Sequence, residues 1–236
     1  MKKPIFLPTI FKSMFFQANW NMDNMQGTGF SWLIKDLLKR NCIKCPEDFT
    51  NASRVPSYFN TNPYLITFIL GMFMKECEEN GKPADYCKTY ASAFAALGDS
   101  FFWHSLRPFT FLLSIWIAVV NPDLAVLFYL ILYNFFHIGF RFLGLYYGYK
   151  FGKNVILIFR RIAFNRWTQI FDSVSTFMAG VTLAVAVKYI SASQPIPIIK
   201  ASVLFLSGIV AANFVKTPIA FMCVAAILGV MLMIGM

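Results

Sequence analysis

The sequence predicts an all-α, polytopic integral membrane protein, with short re-entrant or broken helices in its N-terminal half and about four to five membrane spans in its C-terminal half. Three observations carry that expectation. Of 236 residues, 58% are hydrophobic and only 14% are charged, against about 25% charged in soluble domains. Residues 141–166 hold six basic residues and no acid, with apolar segments on both sides. Long uncharged runs fill the C-terminal half, and no strand alternation is long enough to build a barrel.

The N-terminal sixteen residues pair two early lysines with an apolar stretch that Pro4 and Pro8 interrupt, and no small-residue cleavage site follows. They read as a short amphipathic segment lying on the membrane, not as a signal peptide. Residues 1–58 form an N-terminal, cytoplasmic-side region. Residues 63–74 are apolar for twelve positions, too few to cross a bilayer. A polar link and a second apolar stretch, residues 89–103, follow before Arg107-Pro108. In a water-soluble protein these would be a buried helical pair; beside so many spans, residues 59–108 read as a broken or re-entrant pair. Such helices bear binding sites in transporters, because unpaired backbone at membrane depth survives only beside protein or water.

Residues 109–236 form the spanning region. Asn121-Pro122-Asp123 reads as a turn between a short segment and a full span. Residues 141–166 then read as a basic cytoplasmic loop, since Lys and Arg resist translocation; Arg141, Arg160 and Arg161 are topogenic. Residues 168–190, 198–215 and 218–236 are further apolar runs, with Asp172 near the cytoplasmic end of the first and Lys200 placed to snorkel. A net charge of +10 is accounted for by this topology and by attraction to membrane lipid, and nucleic acid is not expected as a partner. Cys42 and Cys45 form a single CxxC without a second pair or a nearby His, so neither a metal nor a redox site is expected.

Four clusters carry specific information. They are Gln17-Ala18-Asn19-Trp20-Asn21 with Met25-Gln26-Gly27-Thr28-Gly29-Phe30; Tyr58-Phe59-Asn60-Thr61-Asn62-Pro63; Ala96-Leu97-Gly98-Asp99-Ser100-Phe101-Phe102-Trp103 with Arg107-Pro108; and Asn134, Arg141 and Gly144 with Tyr147-Gly148-Tyr149-Lys150-Phe151-Gly152. In this order and spacing they resemble the IID component of the mannose/fructose/sorbose family of the phosphotransferase system (PTS). The resemblance runs from about Gln17 to Gly152 and continues as hydrophobic pattern alone.

The resemblance implies a multi-pass subunit of the bacterial cytoplasmic (inner) membrane. It would pair with the membrane subunit IIC to carry a hexose, which IIB phosphorylates with phosphate drawn from IIA. The phosphorylated His residues lie on IIA and IIB, so no catalytic residue, metal or cofactor is expected here. A scaffold that stabilises IIC without touching sugar, and a stand-alone membrane enzyme using Asp99 or His104, are the alternatives.

Candidate sugar contacts follow from chemistry: amides and carboxylates donate to or accept from hydroxyls. Asn60, Thr61 and Asn62 precede Pro63, which lacks an N–H and suits a helix start; capping of that helix by Asn60 is the competing role. Asn19 and Gln26, seven apart and so placed on one helical face, either meet sugar or bind a neighbouring backbone. Asp99, set between apolar and aromatic residues, is costly in lipid and calls for a pathway or a partner. It either accepts from a sugar hydroxyl or pairs with Arg107.

Overall fold

The computed structural model describes residues 6–41, 58–79 and 83–193, with residues 83–86, 88 and 183–193 as backbone only. The Cys42–Cys45 pair and the apolar runs 198–215 and 218–236 lie outside the described residues. The chain divides into two compact units, Met1–Ala179 and Gly180–Met236, and the helical bundle belongs to the first. Every regular element among the described residues is helical, and the only bridges are the isolated pairs Asn21–Met25 and Met25–Phe59.

Helix α1 spans Leu7–Ser13 with Pro8 in its first turn, where a missing N–H costs nothing. A run of turns leads to α2, Gly27–Asn41, which buries Phe30, Leu33, Ile34 and Leu37 at helical spacing. Asp36 joins the two helices through Lys12 and pairs within α2 with Arg40. Helix α3, Ile66–Glu78, buries eleven of its thirteen residues. A helix apolar on all sides belongs inside a protein, and α3 is the central element of the unit.

Helix α4, Pro83–Gly98, runs antiparallel to α3, with Phe94 stacked on Phe68. It passes without a break into a π-helical segment, Asp99–Leu106, and then into α5, Arg107–Ala118. The second short segment therefore does not stop at residue 108 as its sequence implied. Pro108 would clash with a carbonyl one α-turn earlier, and the wider turn ahead of it relieves that conflict. The Arg107 N–H reaches back five residues to the Phe102 carbonyl, and the Ser105 hydroxyl reaches the Ser100 carbonyl at 3.0 Å.

The turn at residue 121 falls where Asn-Pro-Asp places it: Asn121 Oδ1 accepts from the Leu124 N–H at 3.0 Å and caps α6, Pro122–Phe151. Helix α6 lies parallel to α3 at close range. A methyl group on Gly148 would overlap the Phe68 carbonyl, and one on Gly71 would overlap the backbone of Leu145 and Tyr149. Gly152, at φ +52°, ends α6 in a conformation that glycine adopts without strain. A 3₁₀ turn, Gly152–Asn154, then leads to the short α7, Val155–Arg161, and α8, Phe164–Ser193.

The sequence made Arg141 the first residue of a basic loop. Instead α6 continues ten residues past it, and Arg141 is buried inside the bundle. Among the described residues, one helical stretch, Pro122–Arg161, is long and apolar enough to cross a membrane.

Candidate functional site

The Asn60-Thr61-Asn62-Pro63 element lies between α2, α3 and the junction of α4 with the π-helical segment. Its backbone is held first by α2: the Gln26 N–H donates to the Phe59 carbonyl at 2.8 Å, and Gln26 Oε1 accepts from the Thr61 N–H at 2.8 Å. Beneath it, Phe59 stacks on Phe30 with ring centroids 3.7 Å apart. The Thr61 hydroxyl donates to the Ala91 carbonyl in α4 at 3.0 Å. All three polar side chains, Gln26, Thr61 and Asn62, are buried. Buried polar groups need such partners, since an unmade hydrogen bond costs about 1–3 kcal/mol.

Asn62 serves both directions. Its Oδ1 accepts from the Tyr64 N–H at 3.0 Å, turning the chain into α3, and its Nδ2 donates to Asp99 Oδ1 at 2.9 Å. Gly98 leaves room for this contact, because a methyl there would overlap the Asn62 side chain. The expected Asp99–Arg107 pair is not among the ion pairs of the described residues; an amide 37 positions away holds the carboxylate instead. Pro63 sits in a turn and α3 begins only at Ile66, so Asn60 does not cap a helix and is exposed. Asn19 is also exposed and lies in a turn before α2, so it shares no helical face with Gln26. Of the predicted site residues, the fold brings together Gln26, Thr61, Asn62 and Asp99. Asn60 stays at their edge and Asn19 lies apart.

A second polar chain begins at Tyr64. The Tyr133 hydroxyl donates to the Tyr64 hydroxyl at 3.2 Å, and the Tyr64 ring lies 4.3 Å from that of His137 and 4.6 Å from that of Phe102. Arg141 Nε donates to His137 Nε2 at 3.0 Å, and Nη1 donates to the carbonyl and hydroxyl oxygens of Ser13 in α1. Since His137 Nε2 accepts, Nδ1 carries the proton and donates to Asn134 Oδ1 at 3.2 Å. The guanidinium carbon also lies 5.7 Å from the Tyr64 ring centre, a stabilising cation–π arrangement. A buried arginine is thus compensated by a carbonyl, a hydroxyl, an imidazole and an aromatic face. Sequence reasoning gave His137, Tyr133 and Ser13 no part in this. The available signal was Asn134, His137 and Arg141 at i, i+3 and i+7, a polar stripe along an otherwise apolar helix.

Arg107, Arg160 and Arg161 are exposed. Arg107 borders an apolar groove of about 930 Å³ between α5 and α6, lined also by Trp103, Pro108, Phe111 and Tyr129. At α2, burial pushes the Asp36 carboxyl up, but hydrogen bonds and charge from Arg40 and Lys12 outweigh it and hold Asp36 below its ordinary value.

Helices enclosing two buried amides and a half-buried carboxylate, beside a helix long and apolar enough to cross a membrane, define the class: a helical protein with a buried polar centre and a candidate membrane span. The chain belongs to the PTS system mannose/fructose/sorbose family IID component, whose family model matches residues 2–233. Among curated relatives, it is 29% identical over 154 residues to the PTS system mannose-specific EIID component of Escherichia coli (strain K12), covering 61% of this chain and 54% of that protein. It is 25% identical over 203 residues to the fructose permease IID component of Bacillus subtilis (strain 168), covering 83% and 72%. The chain therefore spans about half the length of the Escherichia coli relative. Among solved structures, the cryoEM structure of the mannose transporter ManYZ with microcin E492 matches with a TM-score of 0.54 at 24% identity, covering 75% of this chain and 68% of that one. A chain described as a membrane protein matches with a TM-score of 0.63 at 18% identity, covering 88% and 95%. Both likenesses show the fold.

Proposed function

We propose that this chain is the IID membrane subunit of a mannose-family permease that forms, with IIC, the path for a hexose phosphorylated by IIB at the cytoplasmic face. In this reading the protein is multi-pass in the bacterial inner membrane, α6 crosses the bilayer, and the basic residues from Lys150 to Arg166 lie on the cytoplasmic side. The observation that carries it is Asp99. One carboxylate oxygen accepts from buried Asn62, and Oδ2 has no donor among the described residues. A carboxylate held by one oxygen, on a segment of irregular helix, suits a ligand rich in hydroxyls. π-helical turns concentrate at functional sites, and exposed Asn60, two residues before Asn62, is the second candidate contact.

A specific observation favours a second reading, in which the chain only supports IIC. Gln26, Thr61 and Asn62 already use polar groups on one another and on Ala91, Tyr64 and Asp99. One experiment separates the two. Proteoliposomes containing this chain and IIC, supplied with IIA, IIB and the phosphocarrier chain, accumulate hexose phosphate, and omitting this chain abolishes accumulation. Asp99→Asn and Asn60→Ala raise the KM for hexose about tenfold if these groups touch sugar, a loss of about 1.4 kcal/mol. An unchanged KM with less recovered complex establishes support alone, and uptake unaffected by omitting the chain refutes both readings.

A further inference from the structure

We propose that the cleft between the end of α4, α7 and the start of α8 binds an anionic phospholipid, with its phosphate between Arg160 and Arg166 and an acyl chain on the apolar floor. This cavity, about 380 Å³, is lined by the apolar Leu97, Ile156, Phe159, Ala163 and Phe164 together with Arg160, Asn165 and Arg166. Its lining combines the two chemistries that the two ends of a lipid call for. Phe159 and Phe164 are buried and set the floor, whereas both arginines and Asn165 are exposed.

The arginines are brought together by the turn joining α7 to α8. Ala163 takes a positive φ of 51°, its N–H donates to the Arg160 carbonyl at 3.0 Å, and its carbonyl accepts from the Arg166 N–H at 2.8 Å. Neither guanidinium takes part in an ion pair of the described residues. Planar guanidinium groups bind phosphate oxygens in pairs, and the cleft offers two of them with an amide.

Position selects lipid over a soluble phosphate ester. Helix α6 has 30 residues, about 45 Å at 1.5 Å per residue, and so outruns a hydrocarbon core of about 30 Å. The chain after Gly152 then lies at headgroup level. Leu157, Ile162 and Trp167 are exposed beside the arginines; apolar and indole side chains at a basic helix end are the pattern of an interfacial anchor. A sugar phosphate has no group to cover Leu97 and Ile156. Lipid binding here requires only that the chain lies in a bilayer and is independent of the sugar reading.

The full chain, purified in mild detergent and returned to nanodiscs containing either phosphatidylglycerol or phosphatidylcholine, is measured by native mass spectrometry for retained lipid. The intact protein keeps one phosphatidylglycerol that Arg160→Gln/Arg166→Gln holds about tenfold more weakly. Arg161→Gln removes a neighbouring charge that does not line the cleft and leaves retention unchanged. Leu97→Trp fills the floor without altering charge and also lowers retention, which keeps the test decisive should the double variant not fold. Equal retention by the intact protein and Leu97→Trp overturns the proposal. So does loss of the lipid to millimolar inorganic phosphate or hexose 6-phosphate, which would assign the cleft to a soluble phosphate.

Discussion

Helix α3 and the first half of α6 are comparably apolar in sequence, yet they put apolar side chains to opposite uses. In α3, eleven of thirteen residues are buried by protein. In the most apolar eighteen-residue window of the Pro122–Arg161 stretch, 6% are. Lipid tails are as apolar as leucine, so with α6 across the bilayer, as proposed, its outward side chains, such as Ile131 and Phe135, would need no protein partner. The inner region has no such freedom. There, backbone approaches backbone, and every buried amide must find a definite partner.

The largest expected effect tests that contrast with one substitution at two places on the same helix. Gly148→Ala drives a methyl into the Phe68 carbonyl, whereas Gly139→Ala meets nothing within 4 Å. The first lowers stability by about 3 kcal/mol and the second changes it by no more than about 0.5 kcal/mol, read as thermal unfolding of the purified chain in detergent. Equal midpoints would erase the distinction between the two faces of α6.

Next in size is Arg141→Met, which leaves the Ser13 carbonyl and His137 Nε2 without their donor at a cost of about 3 kcal/mol or less. Since that contact ties α1 to α6, trypsin cleavage after Lys12 becomes faster than in the intact protein. Unchanged cleavage would mean that α1 is held by apolar packing alone.

Asn62→Ala removes the amide link to Asp99 and the bond that turns the chain into α3. The expected loss is about 2 kcal/mol, larger than for Asn60→Ala on the exposed neighbour, with both measured by denaturant unfolding. If Asn60→Ala cost as much as Asn62→Ala, the assignment of inner and outer amides would be wrong.

The smallest effect lies at α2. The folded carboxyl of Asp36 titrates below its unfolded value, so its contribution is complete above about pH 4 and is lost as the pH falls through the lower, folded value. Because the pair with Arg40 is partly exposed, about 0.5 kcal/mol is expected. Asp36→Asn should abolish this acid-dependent loosening of α1 in hydrogen exchange. A loosening that persists in Asp36→Asn would place its cause elsewhere.

Local chemistry explains what the sequence made legible. The helix class followed from long apolar runs, and the turn ahead of α6 followed from Asn121 and Pro122, whose preferences act within three residues. Asp99 was recognisable as a costly acid in apolar surroundings, and Gln26, Thr61 and Asn62 as polar groups able to meet hydroxyls. Their pairing was not, because Asp99 looks locally to Arg107, eight positions away, while its observed partner Asn62 comes from another segment. Arg141 failed for the same reason. A lone arginine after an apolar run looks like the edge of a loop until Ser13, 128 positions earlier, is folded against it. Asn19 and Gln26 were assigned one face on spacing alone, but Met25, at a positive φ of 55°, interrupts any helix between them.

The wide turn at Asp99–Leu106 also acts as a spacer of one extra residue in the register between α4 and α5. Were the segment to become ordinary α-helix at its present length, the extra residue would no longer be absorbed and everything beyond it would swing by about 100°. Thr110 and Ser114, which now hide their hydroxyls on the inner side of α5, would then be turned away from that inner side. This short irregularity, by absorbing one residue, decides which face of α5 turns inward.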